Sequence, residues 1–559
     1  SRHAGGVIIS EDIQSRMPLI QSGGVIQTPW SEGMNVRHLE PMGFIKFDLL
    51  GLASLRMIEG CIRRVLQRHH GVEEPTIDDI RSYYNAHLHP DTVDFNDQNV
   101  YKNVFQKGKW GGIFQFTETG AQDLCKRVQP ANLIDISTIT SIYRPGPLSA
   151  GVDADYLKAK NNPEDVKYFH PIHKEITEET YGFLIFQEQI ALLAHKLGND
   201  ISLDEGNKLR KLFTKKGGGS KNDLKNSLHM RFVAGCVEKG IAASDAEEMW
   251  RNFEYFSGYG FNKSHAVAYS MIGYQCAWLM NYYTAEWLAA YLDKDLDRDK
   301  ERRQKGINIA KSHGFDIKKP NINESGAFWE VSKIDLNTLI QPLTNIDGVG
   351  DKAIQEIIKH RPFSTIEEIL FNEDLDYRRV NKKVLDSLTR CGALNDLVDS
   401  RFTGLKHFWS AAVVDRVKKL EKFEKNIELY APEGDFTKEE KIKFEVDLTG
   451  LFPIDRVVNE ELMDALKDYG VPPISEYDEA LGGVWFIPLK VTEKKTSRGK
   501  TYWIVDTIDM NSSATRIKCW YVREGDTLFV NRPYLINNID HDPQWGFSVR
   551  SAKAFKLLS

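Results

Sequence analysis

From about Ile58 to Asp295 apolar residues return with the period of an amphipathic helix, and caps stand where helices should begin, as at Thr284 with Glu286 behind it and an apolar run after that. A stretch of that length can bury its stripes only in a large helical body. Two breaker-rich segments interrupt it, "RPGPLSAG" from Arg144 and "TKKGGGSKND" from Thr214. Loops of this kind can offer backbone and side chains to a ligand.

The C-terminal part of the chain is different in kind. Residues 320 to 400 centre on "LTNIDGVGDKAIQEIIKHR", which reads as two helices around a Gly-Val-Gly hairpin. Between Lys418 and Glu445 charge density rises and periodicity weakens, which marks a connector. After "FEVDLTGLFPIDRVV" come five short β-rich runs with turn signals between them, the pattern of a small barrel of the oligonucleotide-binding kind. The fold class expected is therefore α+β and multidomain, and the length of 559 residues is in keeping with roughly four domains.

Charge argues for no particular partner. Seventy-three Lys and Arg against 79 Asp and Glu leave a net charge of −6, so any nucleic-acid surface must be a local patch. Six scattered cysteines, with no Cys-x-x-Cys spacing, speak against zinc and against a disulfide framework, and suggest a reducing cytoplasm. The longest apolar stretch, "AVAYSMIGYQCAWLM", carries Ser and Gln and is too short for a bilayer, so no membrane association is expected. The chain opens on Ser1 and runs into "RHAGGVIIS", which reads like mid-domain sequence; processing, a boundary or a split gene would each account for it, and Ser1 is compatible with protein splicing in trans.

Near the start lies "GFIKFDLLGL", Gly43 to Leu52. As a strand it puts Ile45, Phe47 and Leu49 on one face and Lys46 with Asp48 on the other. A strand carboxylate can hold Mg²⁺ for phosphoryl transfer, though such a site needs more than one; an exposed Lys46/Asp48 decoration is the competing reading. "KFDL" also brushes against the Lys-x-Asp-Gly pattern of nucleotidyl-transferring ligases, but Leu49 stands where Gly is needed. "SRGKTYW" lacks the leading Gly of a phosphate loop, and His170, His173 and Glu175 in "HPIHKE" read as a turn rather than a metal site.

Three signals point to nucleic acid or nucleotide. Lys208, Arg210, Lys211, Lys215, Lys216, Lys221 and Lys225 face a single acid, Asp223, with a triple glycine among them; phosphates favour such a fringe, and so does a solvated loop. In "IDGVGDKAIQEII" the glycines would let a hairpin backbone approach a phosphate while the next helix offers its amides. The terminal runs interleave Phe486, Tyr502, Trp503, Trp520, Tyr521 and Trp545 with Lys490, Lys494, Lys495, Arg498, Lys500, Arg516 and Lys518, which suits stacking of single-stranded bases, although strand alternation must put about half of those rings in a core.

Taken in order, "HAGGVIIS", "IKFDLLGL", "GIFQFTETG", "YRPGPL", "YGFLIFQEQI", "LRKLFTKK", "GYGFNKSHAVAYS" and "IDGVGDKAIQEII" resemble the bacterial DNA polymerase III α subunits, the C-family replicative polymerases. The resemblance implies a layout: the C-terminal part of a palm over residues 1–56, fingers over 57–320, a helix-hairpin-helix duplex-DNA-binding domain over 321–400, a connector and candidate clamp-binding region over 401–478, and an oligonucleotide-binding barrel over 479–559. In that family the palm holds three catalytic aspartates, two from an earlier Asp-rich segment and one on the strand written here as "KFD". Asp48 matches the third, as the catalytic and metal-binding residue, and no paired-Asp segment matching the other two is seen. The same matching would turn Lys46, Arg144, Arg210, Lys211, Lys263 and His265 toward the incoming nucleotide. It would place duplex DNA at Gly348, Gly350 and Lys352, and DNA at Lys494, Arg498 and Lys500 of the barrel.

The implied activity is template-directed addition of deoxynucleotides to a primer 3′ end with two Mg²⁺ ions. It would require a separate N-terminal piece carrying a phosphoesterase-like domain, thumb and the remaining palm. Implied partners are primer-template DNA, a deoxynucleoside triphosphate and, as a candidate, a sliding clamp, for which "NIELYA" is the nearest segment. The alternatives are a non-catalytic DNA-binding protein with a degenerate polymerase body, and a ligase-type enzyme using Lys46.

Overall fold

The computed structural model describes residues 6–22, 24–29, 39, 41–49, 51–144, 151–214, 220–256, 260–294, 300–414, 417–431, 434–478, 483–496, 499–510, 514–542 and 546–558. It separates into two units, Ser1–Arg56 and Met57–Ser559.

In the first unit β1 (Gly6–Ile9) forms an antiparallel ribbon with β4 (Ile45–Asp48), and β2 (Ile20–Ser22) pairs with β3 (Val25–Gln27). Val7 stands opposite Phe47, Ile8 opposite Lys46, Ile9 opposite Ile45 and Gly6 opposite Asp48. The expected alternation is present, with an unexpected assignment of faces. Ile8, on the face shared with Lys46, packs on the small core of Met17, Leu39 and Phe44. The apolar face points outward: Ile9, Ile45 and Leu49 are 69%, 65% and 71% exposed, and Val7 and Phe47 are exposed beside them. A two-stranded ribbon carries little stability alone, so an outward apolar face on one is a surface built to be covered.

The second unit begins with helical layers. Their main core holds Tyr101, Phe105, Phe116, Tyr274 and Trp287, and a neighbouring core holds Leu193, Phe232, Trp250 and Phe253. Four helices position the site: α1 (Leu133–Ile142), α2 (Gln187–Leu197), α3 (Leu203–Thr214) and α4 (Lys263–Tyr282). The apolar run "AVAYSMIGYQCAWLM" lies within α4. Ala266, Ser270, Gly273 and Ala277 are buried along it, and small side chains let α1 close in until the Ser137 and Ser270 hydroxyls are 3.0 Å apart. A Cβ at Gly273 would lie 3.1 Å from the Phe114 carbonyl oxygen, tighter than most Cβ contacts, so glycine eases the close approach there. Among the described residues no helix is long and apolar enough to cross a membrane. All six cysteines are free and buried.

Beyond the helical layers, β5 (Asp316–Lys318), β6 (Glu330–Val331) and β7 (Thr338–Ile340) make a small mixed sheet in the order β5-β7-β6. The hairpin module then packs α5 (Asp351–His360) and α6 (Lys382–Arg390) around Ile346, Ile354, Leu385 and Leu388. Upstream of the hairpin the chain makes only a single 3₁₀ turn, Leu343–Asn345, where the sequence pattern suggested a helix.

The segment read as a weakly periodic connector is helical. It holds α7 (Leu420–Tyr430) and α8 (Lys438–Thr449), the latter begun by a Thr437/Glu440 capping box. Few of its apolar side chains are fully buried: Phe423 and Leu448 join the hairpin core and Ile442 another, while Leu420 and Leu429 are exposed among charged residues, which is why helical period is faint there.

The C-terminal strands are β8 (Gly483–Lys495), β9 (Thr501–Ile508), β10 (Ala514–Cys519), β11 (Tyr534–Asn537), β12 (Asp540–Asp542), β13 (Gly546–Val549) and β14 (Phe555–Leu557). They form one seven-stranded sheet ordered β12-β13-β10-β9-β8-β11-β14, consistent with a barrel-like domain. The five runs expected from sequence are here, with two short strands added. The first half of β8 is buried on both faces because Val484 and Phe486 enter the sheet's own core, whereas Trp485 and Ile487 pack on Ile442, Phe452 and Leu466.

Candidate nucleotide and nucleic-acid interface

Two helices begin side by side. Phe186 and Phe261 form an isolated parallel bridge, with the Gln187 N–H donating to the Phe261 carbonyl at 2.9 Å and the Phe261 N–H to the Ile185 carbonyl at 3.2 Å. This places the first turn of α2 beside the first turn of α4. Gln189 fixes the entry to α2, its Oε1 accepting from the Ile185 and Phe186 N–H groups at 2.9 Å each. Asn262 caps α4, its Oδ1 accepting from the His265 N–H at 2.9 Å. Two positive helix ends at one place attract anions.

Arg144 follows the end of α1, and its guanidinium carbon lies 3.7 Å from the centroid of the Phe261 ring. Partial burial there lowers its pKa from the ordinary value, though an Arg remains a cation. Phe261 meets His265 edge-on at 5.3 Å, and His265 stacks on Tyr269 at 4.2 Å. Lys263 stands in the same first turn. Its N–H donates to Glu188 Oε2 at 2.9 Å, Asn262 Nδ2 donates to Glu188 Oε1 at 2.7 Å, and its Nζ meets both oxygens of Glu179 at 2.6 and 2.7 Å.

Arg144, Lys263 and His265, three of the residues that the resemblance turns toward a nucleotide, therefore lie around Phe261 and the first turn of α4. Glu179, Glu188, Phe261 and Asn262, which organise them, were not singled out; "FQEQ" and "FNKSH" were the signal, each an Asn or Gln that satisfies helix-start amides. Arg210 and Lys211 lie in α3 beside the buried Leu209, and their side chains fall outside the described residues. Of the remaining basic cluster, Lys208 is exposed and Lys225 pairs with Glu254 at 2.6 Å; Lys215 and Lys216 lie outside the described residues, as does the Lys221 side chain.

Lys46 and Asp48 are on β4 of the first unit, Lys46 half-buried. The Asp48 side chain lies outside the described residues; its backbone faces Gly6, which puts no side chain beside it across the ladder. Among the described residues, which leave out the Asp48 side chain, there is no group of three or more His, Cys, Asp or Glu that could hold a metal ion.

The "HPIHKE" histidines are structural. His170 caps the helix Pro171–Thr177, accepting from the Ile172 N–H at 3.1 Å, and Glu175 pairs with Lys196. His173 is buried, 5.9 and 5.3 Å from the Tyr168 and Phe169 ring centroids, and burial pulls its pKa down to about 4. The unfolded chain therefore takes up a proton near pH 6.5 that the folded chain refuses until about pH 4, so this histidine's contribution to stability falls as pH drops through that window. Up to about 3 kcal/mol is lost across it. Denaturation at pH 5 and pH 7 should show the difference shrinking in His173→Gln.

In the hairpin, Gly348 has φ +94°, a conformation that L side chains rarely adopt, and a Cβ there would lie 2.8 Å from Ser387 Oγ. That hydroxyl donates to the Asp347 carbonyl at 2.8 Å and ties the hairpin to α6. Gly350 is the N-cap of α5 with nothing within 4 Å of a would-be Cβ, and Lys352 is exposed in the first turn, so the helix start is open to a phosphate. Gly348→Ala should cost about 1–3 kcal/mol locally, read as lost amide-exchange protection across residues 346–390, while Gly350→Ala should be tolerated by the fold.

On the sheet domain, Phe486 and Trp503 are core, while Trp520 and Tyr521 are exposed and Tyr502 is half-buried. Tyr502 and Trp520 stack at 5.5 Å, Lys518 Nζ lies 5.9 Å from the Trp520 ring, and exposed Lys494 is the register partner of Tyr502. Lys500 is exposed just before β9; Arg498 and Trp545 lie outside the described residues. The nearest clamp-like segment lies in α7, where Asn426 is buried and donates to the Ala411 carbonyl.

Residues 72–240 match the bacterial DNA polymerase III alpha subunit finger domain, and residues 314–403 match a helix-hairpin-helix motif. A protein named DNA polymerase III subunit alpha from Aquifex aeolicus is 29% identical over 523 residues, which cover 91% of this chain and 41% of the relative. Proteins of the same name from Campylobacter jejuni and Bacillus subtilis are each 30% identical, over 70% and 72% of this chain and 31% and 34% of their own length. Over most of its length the chain is thus similar to bacterial DNA polymerase III α subunits, and residues 72–240 carry their finger domain. It spans between about a third and two fifths of the length of the relatives it matches.

Proposed function

We propose that this chain is the fingers, hairpin and barrel portion of a replicative DNA polymerase, adding deoxynucleotides to a primer 3′ end. The observation that carries the reading is the meeting of two helix N-termini with Arg144, Lys263 and His265. The positive dipole ends of two helices and their neighbouring cations suit a triphosphate, and the His265–Tyr269 stack lies beside them. Arg210 and Lys211 on α3 are assigned to the nucleotide as well, and Lys46, in the first unit, is assigned by its motif to phosphate.

Asp48 supplies one carboxylate of the reaction centre, the other aspartates coming from a separate N-terminal polypeptide with the rest of the palm, the thumb and a phosphoesterase-like domain. Two Mg²⁺ ions, when bound, lower the barrier by stabilising the attacking and leaving oxygens. Support for the divided palm comes from the outward face of Val7, Ile9, Ile45, Phe47 and Leu49, whose chemistry fits further apolar palm segments. Duplex DNA is assigned to Gly348, Gly350 and Lys352, and the template single strand to Lys494, Arg498 and Lys500 with the Tyr502–Trp520 stack. A sliding clamp is not among the partners proposed, since Asn426 to Tyr430 are helical and Asn426 is buried.

The test is steady-state incorporation by the assembled polymerase. Arg144→Ala and Lys263→Ala should each raise the KM for deoxynucleotide about tenfold or more, as expected when a charged hydrogen bond to substrate is removed. Unchanged KM in both would remove this cluster from the nucleotide site.

A further inference from the structure

Lys263 is held twice by carboxylates. Its backbone N–H rests on Glu188, which also takes the Asn262 amide, so Glu188 belongs to the start of α4. Its ammonium rests on a different residue, meeting both oxygens of Glu179, and this pair is open to solvent, the two side chains being 34% and 30% exposed. A carboxylate offering two oxygens to Nζ presents the same chemistry as a phosphate offering two. One ammonium cannot serve both at full strength.

Glu179 has little other work at this place. It sits on the 3₁₀ turn Glu178–Thr180, and that turn is anchored by Thr180, whose hydroxyl donates to the Phe183 carbonyl at 2.6 Å and accepts from Gln189 Nε2 at 2.8 Å. The carboxylate could therefore be lost without loosening the segment.

We propose that Glu179 sets the affinity for the incoming nucleotide, its carboxylate occupying Lys263 as a stand-in for phosphate and yielding the ammonium when a triphosphate arrives. This rests on the reading that Lys263 receives the triphosphate. Apparent affinity is then reduced by the fraction of time that Nζ is held. For a partly exposed ion pair the reduction is about two- to fivefold. Glu179 is a positioning residue that acts through Lys263.

The experiment is chemical labelling of Lys263 in the assembled polymerase. Pyridoxal 5′-phosphate followed by borohydride traps the lysine as a secondary amine, read by mass spectrometry, and dATP with Mg²⁺ is titrated as the protecting ligand. Protection in the native chain, with a half-protecting concentration about two- to fivefold lower in Glu179→Gln, is the expected result. Protection at the same concentration in both overturns the role of Glu179 and leaves the nucleotide site standing. Absence of protection in both overturns the nucleotide site and the role of Glu179 with it. Glu179→Ala repeats the measurement should the Gln variant fail to fold.

Discussion

Replacing Asp48 with Asn is expected to abolish primer extension by the assembled polymerase, lowering single-nucleotide incorporation by at least about a thousandfold. The substitution keeps the volume of the side chain and removes its charge. A divalent ion prefers anionic oxygen, and an amide oxygen cannot replace the lost charge. The strand itself should survive, because Asp48 ends β4 opposite Gly6 and the unit's core is made by Met17, Leu39 and Phe44. Duplex DNA is assigned to the hairpin and the template single strand to the barrel, so affinity for primer-template, measured by fluorescence anisotropy, should stay within about twofold, since no phosphate-contacting cation is altered. Retained synthesis would remove Asp48 from the reaction centre. Lost synthesis with lost DNA binding would point to a folding defect instead.

Much of the fold was legible because the strongest periodic signals became the deepest cores. The run around Tyr274 became α4, and the Gly-Val-Gly turn became the hairpin, with Gly348 at positive φ as its position demands. The charge-rich stretch around Phe423 misled, since a helix with few fully buried apolar side chains leaves little period in the sequence. At the site, cations were legible and their organisers were not. Arg144, Lys263 and His265 stand out by charge and motif, whereas Glu179 and Phe261 gain meaning only when the bridge at Phe186 sets one helix start beside another. The outward apolar face of β1 and β4 shows the converse. Alternation correctly placed Ile45 and Phe47 together, yet period alone cannot say which face is covered, because that depends on what lies against it.

That uncovered ribbon, with a single matched aspartate on it, motivates the central proposal: these residues hold the nucleotide-gripping side of a polymerase, and palm carboxylates beyond Asp48 complete its reaction centre. The second large effect comes from the same division. Given primer-template DNA, all four deoxynucleotides and Mg²⁺, the pure chain should bind DNA and leave the primer unextended. Addition of an N-terminal α-subunit polypeptide bearing the two remaining palm aspartates should switch extension on, and the Val7, Ile9, Ile45 and Phe47 face should become protected from amide exchange on mixing. Primer extension with and without that polypeptide is the most direct measurement: synthesis only in the mixture is the predicted result, and synthesis by the isolated chain would contradict the account.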